Sequence, residues 1–224
     1  MRIVRAVRNV SVLLLAAGAA LGCGGGGGAA VVPDPNPPPP SGNVTLDVIA
    51  DAALSGAILD STSGRSVNAF VSAGQSVSPT LGNSETRGVA VYVWAIPTGA
   101  TIVSATLRCT PTSVTGNPTT LVDALTLDHF DVGTNLDVGD FDGGPLFQAS
   151  CATLVPLNQP MAAGTPVSTD VTTQVVADRT AVRGRSCFRL LFLAAIQNTQ
   201  GLNTVQFEAG GVADAPVLTI IYAP

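Results

Sequence analysis

From Asn43 onward, the sequence is a succession of short apolar or alternating segments, and this pattern constrains the fold most strongly. Gly, Pro, Asn and Ser separate the segments, and strand-favouring Val and Thr are abundant within them. No long stretch repeats apolar residues at the 3.6-residue period of a helix. We expect about nine to eleven strands. They include the segments VTLDVIA, AFVSAG, GVAVYVWAI, TIVSATLRC, LVDALTLDHF, SCFRLLFLA, TVQFEA and PVLTIIYA.

The spacing of these segments predicts an all-β fold, a jelly-roll-like sandwich of two sheets, because a closed core covers strand edges better than an open sheet. One segment differs. Residues 170–182 place Val171, Val175 and Ala177 near helical spacing, with Asp170 available as a cap, which predicts one short helix. With 46% hydrophobic residues, the chain can bury one substantial core, so residues 44–224 are expected to form a single domain.

The N-terminus has the form of an export signal. Residues 1–22 combine a basic start with an apolar run of about 13 residues, which is too short to span a bilayer of about 30 Å as a helix. The following AALGC resembles the bacterial lipobox, which predicts that Cys23 is lipidated after cleavage. Several acyl chains on Cys23 would anchor the protein to a membrane. The alternative is a general secretory peptide that is cut elsewhere.

Residues 23–43 are expected to form a tether, since a glycine run followed by a proline run supplies nothing from which to build a core. Gly24, as the second mature residue, suggests delivery to the outer membrane, and we expect a location in the cell envelope. All ten basic residues are arginines, and three lie in the leader, which leaves seven against fifteen acidic side chains. Such a charge disfavours nucleic acid and anionic lipid headgroups as partners.

Residues 128–144 hold five of the fifteen acidic residues and the only histidine. Asp140 and Asp142, followed by Gly143, form a fragment of an oxygen-ligand loop, and with Asp137 they make a candidate calcium site. The further ligands and the later Glu of an EF-hand are absent from the sequence pattern. The alternative is that these aspartates cap turns and keep the loop soluble.

The sequence predicts that the protein is not an enzyme. It lacks a G-x-S-x-G elbow, an H-E-x-x-H motif and a phosphate-binding glycine loop, and it has no lysine for Schiff-base chemistry. His129 has no second histidine for a zinc site, and a surface or packed role is expected for it. Paired carboxylates could hydrolyse glycosides at a suitable separation, and this alternative stays open.

Three cysteines follow Cys23, and an exported protein meets oxidising conditions, so one disulfide is expected. Three pairings are possible. Cys109 is in phase with the apolar residues of its strand, which indicates a core-facing thiol. Cys187 falls on the face opposite Phe188, and Cys151 lies in a less regular segment that could reach it. These positions favour a disulfide between Cys151 and Cys187, with Cys109 buried and free.

Four aromatic residues are candidates for contact with a ligand. Tyr92 and Trp94 share one strand face, while Phe130 and Phe141 flank the acidic segment. Core packing is the default expectation for large rings. Phe141 lies between two aspartates, so we expect it to be exposed. If the domain binds sugars, then Phe141, Trp94 and Tyr92 are its candidate ligand-binding residues.

Three segments carry a family resemblance. RGVAVYVWAIPTGATIVSATLRC resembles the "RG…FD…IP.GATI.SATLRL" segment of DNRLRE-type domains, which are related to the disaggregatase-associated repeats. VSTDVTTQVVADRTAVRGRSCFRLLF and VQFEAGGVADAPVLTIIY are similar to that family's later segments, so the resemblance covers most of residues 44–223. It implies a jelly-roll sandwich, found beside carbohydrate-active or adhesive modules. Tyr92 and Val93 replace the family's Phe-Asp, and no catalytic residue transfers.

Two functional classes follow. In the first, a tethered sandwich binds a surface ligand such as polysaccharide, using loop aspartates and an exposed aromatic residue, with calcium as a possible cofactor. In the second, a structural or adhesive sandwich presents a stable face to other envelope proteins. A groove or an exposed row of aromatic rings would favour the first class, and a smooth face with an apolar patch the second.

Overall fold

The computed structural model describes residues 42–78, 82–144, 146–193, 201–208 and 214–224. Strands dominate this part of the chain, as predicted. The elements are β1 (Val44–Ile49), β2 (Gly56–Ser61), β3 (Gly64–Asn68), β4 (Val71–Ser78), β5 (Gly82–Val93), β6 (Thr101–Cys109), β7 (Pro111–Thr115), α1 (Pro118–Leu121), β8 (Leu125–Phe130), a 3-10 helix (Val138–Phe141), β9 (Gln148–Val155), β10 (Val167–Asp170), α2 (Thr172–Thr180), β11 (Arg185–Phe192), β12 (Gly201–Phe207) and β13 (Val217–Ala223).

The strands form two antiparallel sheets. The smaller has the order β1-β13-β6-β10, and the larger the order β7-β12-β4-β5-β11-β8-β9, with β2 paired to both β5 and β3. Strand β5 organises the larger sheet, because it pairs with β4 near its start, with β2 across its middle and with β11 near its end. The expected all-β sandwich of two sheets is therefore confirmed.

The main core lies between the sheets and follows the two-residue period of the strands. Ala105, Leu107 and Cys109 of β6 and Leu218 and Ile220 of β13 contribute from the smaller sheet. The larger sheet contributes alternate residues of β5 and β11, namely Ala90, Tyr92, Phe188, Leu190 and Phe192. The expected placement of Phe188 and Cys187 on opposite faces of β11 is confirmed.

The larger sheet also buries residues on its outer face. Val89 and Val91 of β5 and Cys187 of β11 point away from the main core and join a second apolar cluster with Ile58 and Phe130. The second half of β5 and nearly all of β11 are thus covered on both faces, which explains their continuous burial there. Residues of the segment that follows β8 cover this outer face.

Helix α2 confirms the predicted helical segment. Val171 and Val175 are buried in the main core, and the helix contacts β6 of one sheet and β11 of the other. The helix has Val171 at its N-cap, with no side-chain cap hydrogen bond, so the expectation that Asp170 is the cap is wrong by one residue. Asp170 Oδ1 still accepts a hydrogen bond from the Thr172 amide at 3.0 Å just before the helix. The Thr172 hydroxyl accepts a 2.8 Å hydrogen bond from the Ala105 amide, which fastens the helix to β6.

The predicted signal segment 1–22, the lipidation residue Cys23 and nearly all of the tether 23–43 lie outside the described residues. These expectations stay predictions. Among the residues that the structure describes, no helix combines the length and the apolar character needed to cross a membrane.

Candidate functional site

Residues 131–144, called the acidic loop below, follow β8 and cover the outer face of the larger sheet. Its buried residues Val132 and Phe141, with the partly buried Leu136, pack on the second apolar cluster. The loop therefore has a core of its own, although its sequence is rich in aspartate. Burial of these three side chains fixes where the surrounding carboxylates lie.

Arg189 holds the acidic loop from inside the sheet. This β11 side chain is only 1% exposed. Its Nη2 and Nε donate to Asp128 Oδ2 at 2.6 and 3.0 Å, and its Nη1 donates to the carbonyl oxygens of Asp140 and Phe141 at 2.7 and 2.6 Å. Burial lowers the pKa of Arg189, and the hydrogen bonds that Arg189 donates to Asp128 oppose that shift. One buried guanidinium thus joins β8, β11 and the loop.

Two further arginines cover Phe141. The guanidinium carbons of Arg87 and Arg65 lie 3.9 and 4.5 Å from the centre of its ring. Arg87 Nη1 also donates to the Phe141 carbonyl at 2.6 Å, and Arg65 Nη1 donates to Asp142 Oδ2 at 2.7 Å. Phe141 is consequently 4% exposed. The expectation that its acidic neighbours would keep this ring at the surface is wrong, because Arg65 pairs with Asp142 and the side chains of Arg65 and Arg87 enclose the ring.

The three aspartates of the candidate calcium site make hydrogen bonds within the fold. Asp137 Oδ1 accepts from the Gly139 amide at 2.6 Å, and Asp140 Oδ2 accepts from the Asp137 amide at 2.9 Å, which forms a capping box at the 3-10 helix. Asp142 pairs with Arg65. These bonds match the turn-capping alternative. Within the described ranges, no three His, Cys, Asp or Glu side chains form a group that could hold a metal ion. Calcium binding stays a prediction.

Two of these carboxyl groups have opposite electrostatic environments. Burial raises the pKa of Asp140, although its hydrogen bond from the Asp137 amide partly opposes the shift. The hydrogen bond from Arg65 lowers the pKa of Asp142, which is largely exposed. Of these two carboxyl groups, Asp142 is therefore the more readily charged, and it is already paired with Arg65.

Tyr92 and Trp94 lie in the main core, on the shared strand face that the sequence predicted. Trp94 Nε1 donates to Ser186 Oγ at 3.1 Å. The Tyr92 ring contacts Phe188, and burial raises the pKa of its hydroxyl, which has no hydrogen-bond partner among the described residues. Neither ring is placed at the surface for stacking on a sugar, so the default expectation of core packing is confirmed for both.

His129 is packed rather than exposed. It is 2% exposed, and its Nε2 lies 2.9 Å from Asp178 Oδ2 on helix α2. The other oxygen of Asp178 accepts from Arg183 Nη1 at 3.0 Å. The buried His129 and Asp178, with the partly exposed Arg183, tie β8 to the helix and to the turn that follows it. Sequence reasoning missed Asp178 and Arg183, because both lie about 50 residues beyond His129 in the chain.

The structure contradicts the expected disulfide, since Cys109, Cys151 and Cys187 are all free thiols. The reason is that the larger sheet separates two of them. Cys151 packs against the main core, whereas Cys187 belongs to the second cluster on the outer face. The face assigned to Cys187 and the burial of Cys109 are confirmed. The disulfide prediction was wrong because it assumed that Cys151, in the irregular strand β9, could reach the outer face of the larger sheet.

Two surface depressions lie next to charged side chains. The first, called the arginine cleft below, has a volume of about 360 Å³. It is lined by Val93, Asp131, Arg183, Gly184 and Arg185. The second, called the polar pocket below, has a volume of about 250 Å³. It is lined by Asp60, Ser61, Thr62, Asn83 and Glu85.

No protein-family model matches this chain, and no curated protein matches its sequence. The resemblance to DNRLRE-type domains therefore stays a prediction from the three segments that carry it. The fold itself agrees with the sandwich that the resemblance implied.

Replacing Arg189 tests whether it holds the acidic loop. Arg189→Leu leaves Asp128 buried without its partner and removes the donor to two loop carbonyls, so we expect the free energy of unfolding to fall by about 3–5 kcal/mol. Urea denaturation measures the loss. Arg108→Leu is the matched control, because Arg108 is exposed on the smaller sheet, and it should change stability by about 0.5 kcal/mol or less. Equal losses for the two variants would contradict the assignment.

The thiol assignment predicts a specific pattern of reactivity. Burial raises the pKa of Cys109 and Cys151 to about 12 and that of Cys187 to about 11. Because the thiolate is the reactive form, all three should react slowly with a thiol reagent at pH 8 in the native protein. After unfolding without reductant, all three should react quickly. If two of these thiols failed to react in the unfolded sample, they would be joined in a disulfide, and the assignment of three free thiols would be wrong.

Proposed function

We propose that this chain is a lipid-anchored protein of the bacterial cell envelope whose non-catalytic β-sandwich binds polysaccharide. The signal segment, Cys23 and the Gly/Pro-rich tether support the anchor. The polar pocket supports the binding role. The resemblance to domains found beside carbohydrate-active modules points in the same direction.

The polar pocket is the observation that carries the ligand proposal. Every side chain that lines it can hydrogen-bond. Arg65 Nε lies 3.3 Å from Asp60 Oδ2, and Arg87 Nε donates to Glu85 Oε1 at 2.7 Å, so neighbouring ion pairs orient both carboxylates. Sugars present many hydroxyl groups, which such convergent polar groups recognise. Because Tyr92, Trp94 and Phe141 are buried, recognition here depends on hydrogen bonds rather than on those rings.

The non-catalytic part of the proposal is supported by the internal pairing of Asp128, His129 and Asp178. Asp128 accepts from Arg189, and His129 and Asp178 pair with each other inside the fold. Each of these groups is about 2% exposed, which leaves little access for a substrate. Their bonds stabilise the sandwich and do not present an acid and a base to one cleft.

A glycan array tests the polysaccharide proposal. The full-length protein should bind a subset of glycans, and Asn83→Ala should weaken that binding about tenfold by removing one side-chain amide from the polar pocket. Gln159→Ala is the control, because this exposed amide lies outside the pocket. Parallel arrays with calcium and with a chelator test the calcium prediction. Failure to bind any glycan under either condition would overturn the polysaccharide proposal.

A second candidate function is a structural or adhesive role, and exposed apolar residues favour it. Val67 and Phe70 are 43% and 51% exposed. Val67 lies on β3, an exposed strand whose sole partner among the described strands is β2. Such an edge can add a strand from another protein. This role would be favoured if the protein bound no glycan on the array and was retained in an envelope protein complex.

The anchor has its own test. Cys23→Ser should abolish incorporation of labelled palmitate in a bacterial host and leave the leader attached, because the modified sulfur would be missing. Metabolic labelling and the intact mass measure both effects. Cys151→Ser is the matched control and should retain the label. Equal labelling of the Cys23 variant and the control would refute lipidation at this residue.

A further inference from the structure

The arginine cleft combines two partly exposed guanidinium groups within one turn. Arg183 and Arg185 flank Gly184 after helix α2, and each arginine side chain is 26% exposed. The register of β11 on β5 places Arg185 opposite Val93, which is 52% exposed. The cleft therefore presents positive charge beside an apolar side chain at the surface.

Existing ion pairs hold the two guanidinium groups in place without using all their donors. Arg183 Nη1 donates to the buried Asp178 at 3.0 Å, and Arg185 Nη2 donates to Asp131. A guanidinium carries five N–H groups, and each arginine uses one of them in these bonds. Groups that are oriented before a ligand arrives lose less conformational entropy on binding.

The turn that carries the cleft has an unusual backbone. Val182 has a φ of 58°, although a β-branched residue is disfavoured in this left-handed region, and its side chain is 88% exposed. Three hydrogen bonds hold the turn: Val182 N to Arg179 O at 3.0 Å, Arg183 N to Asp178 O at 2.9 Å and Trp94 N to Gly184 O at 3.0 Å. Strain of this kind, maintained by surrounding contacts, is common at binding sites.

We propose that the arginine cleft binds an oxyanion, a carboxylate, phosphate or sulfate group, through the remaining N–H donors of Arg183 and Arg185. Guanidinium groups suit these anions because planar pairs of N–H donors match pairs of oxygen acceptors. Asp131 limits affinity, since its carboxylate competes for Arg185 and repels an incoming anion. The proposal is independent of the polar pocket, which none of these residues lines.

Titration of the full-length protein with sodium phosphate, sulfate and acetate, at constant ionic strength, tests the proposal. Binding is followed by NMR chemical shifts of the backbone and of arginine Nε–H groups. We expect saturable shifts concentrated at Val93, Asp131 and residues 183–185 with at least one anion. The anion with the lowest dissociation constant identifies the chemistry of the natural ligand, tetrahedral or planar.

Variants separate this site from general attraction of anions to arginine. Arg185→Gln should raise the dissociation constant about tenfold or more, because it removes a charged donor. Asp131→Asn should lower the constant by removing the competing charge, an effect that loss of folding does not produce. Arg108→Gln, outside the cleft, should have no effect. No saturable shifts with any anion, or equal weakening by Arg185→Gln and Arg108→Gln, would overturn the proposal.

Discussion

The buried ion pair between Arg189 and Asp128 is the constraint on which the outer half of this molecule depends. A guanidinium inside an apolar sheet face is costly to desolvate, and its burial is tolerated only when its donors are matched by acceptors. Asp128 supplies one acceptor, and the carbonyl oxygens of Asp140 and Phe141 supply two more. The acidic loop must therefore lie where those carbonyls meet the arginine. Its conformation follows from satisfying one charge within the sheet.

The rest of the loop is organised around the same interaction. Once its backbone is held over β11, Phe141 covers the second apolar cluster, and Arg65 and Arg87 enclose the ring. The loop carboxylates then lie near arginines or backbone amides, which satisfy them. The acidic segment, whose sequence resembles a ligand site, thus covers the outer face of the larger sheet. The arginine cleft and the polar pocket, where we propose that ligands bind, are the depressions lined by charged side chains beside this loop.

Local patterns predicted much of the fold. Alternation in β6 and β11 placed the inward residues correctly, and the helical spacing around Val175 located α2. The sequence analysis did not predict β2 or β3. Strand β3 is exposed throughout and lacks an apolar alternation. β10 has only four residues, too few for a periodic signal. Pairing between distant strands, such as β1 with β13, has no local signature at all.

The candidate site was less predictable because it depends on long-range partners. Because side chains alternate along β11, Arg189 lies on the outer face with Cys187, and a charge within an apolar strand indicates a buried partner. That partner is Asp128, 61 residues away, and the burial of Phe141 follows from it. The disulfide prediction failed for a related reason. Irregular pairing of β8 with β9 decides which face Cys151 occupies, and spacing alone does not encode it.

Hydrogen exchange of the acidic loop tests the central claim most directly. Amides at Asp137 and Gly139 are bonded to loop carboxylates, and that at Asp140 to a loop carbonyl. If Arg189 holds the loop closed, the peptide spanning residues 131–144 should exchange nearly as slowly as β8 and β11 at neutral pH. Exchange of that peptide as fast as an unfolded peptide of the same sequence would show that the loop opens freely and would contradict the account.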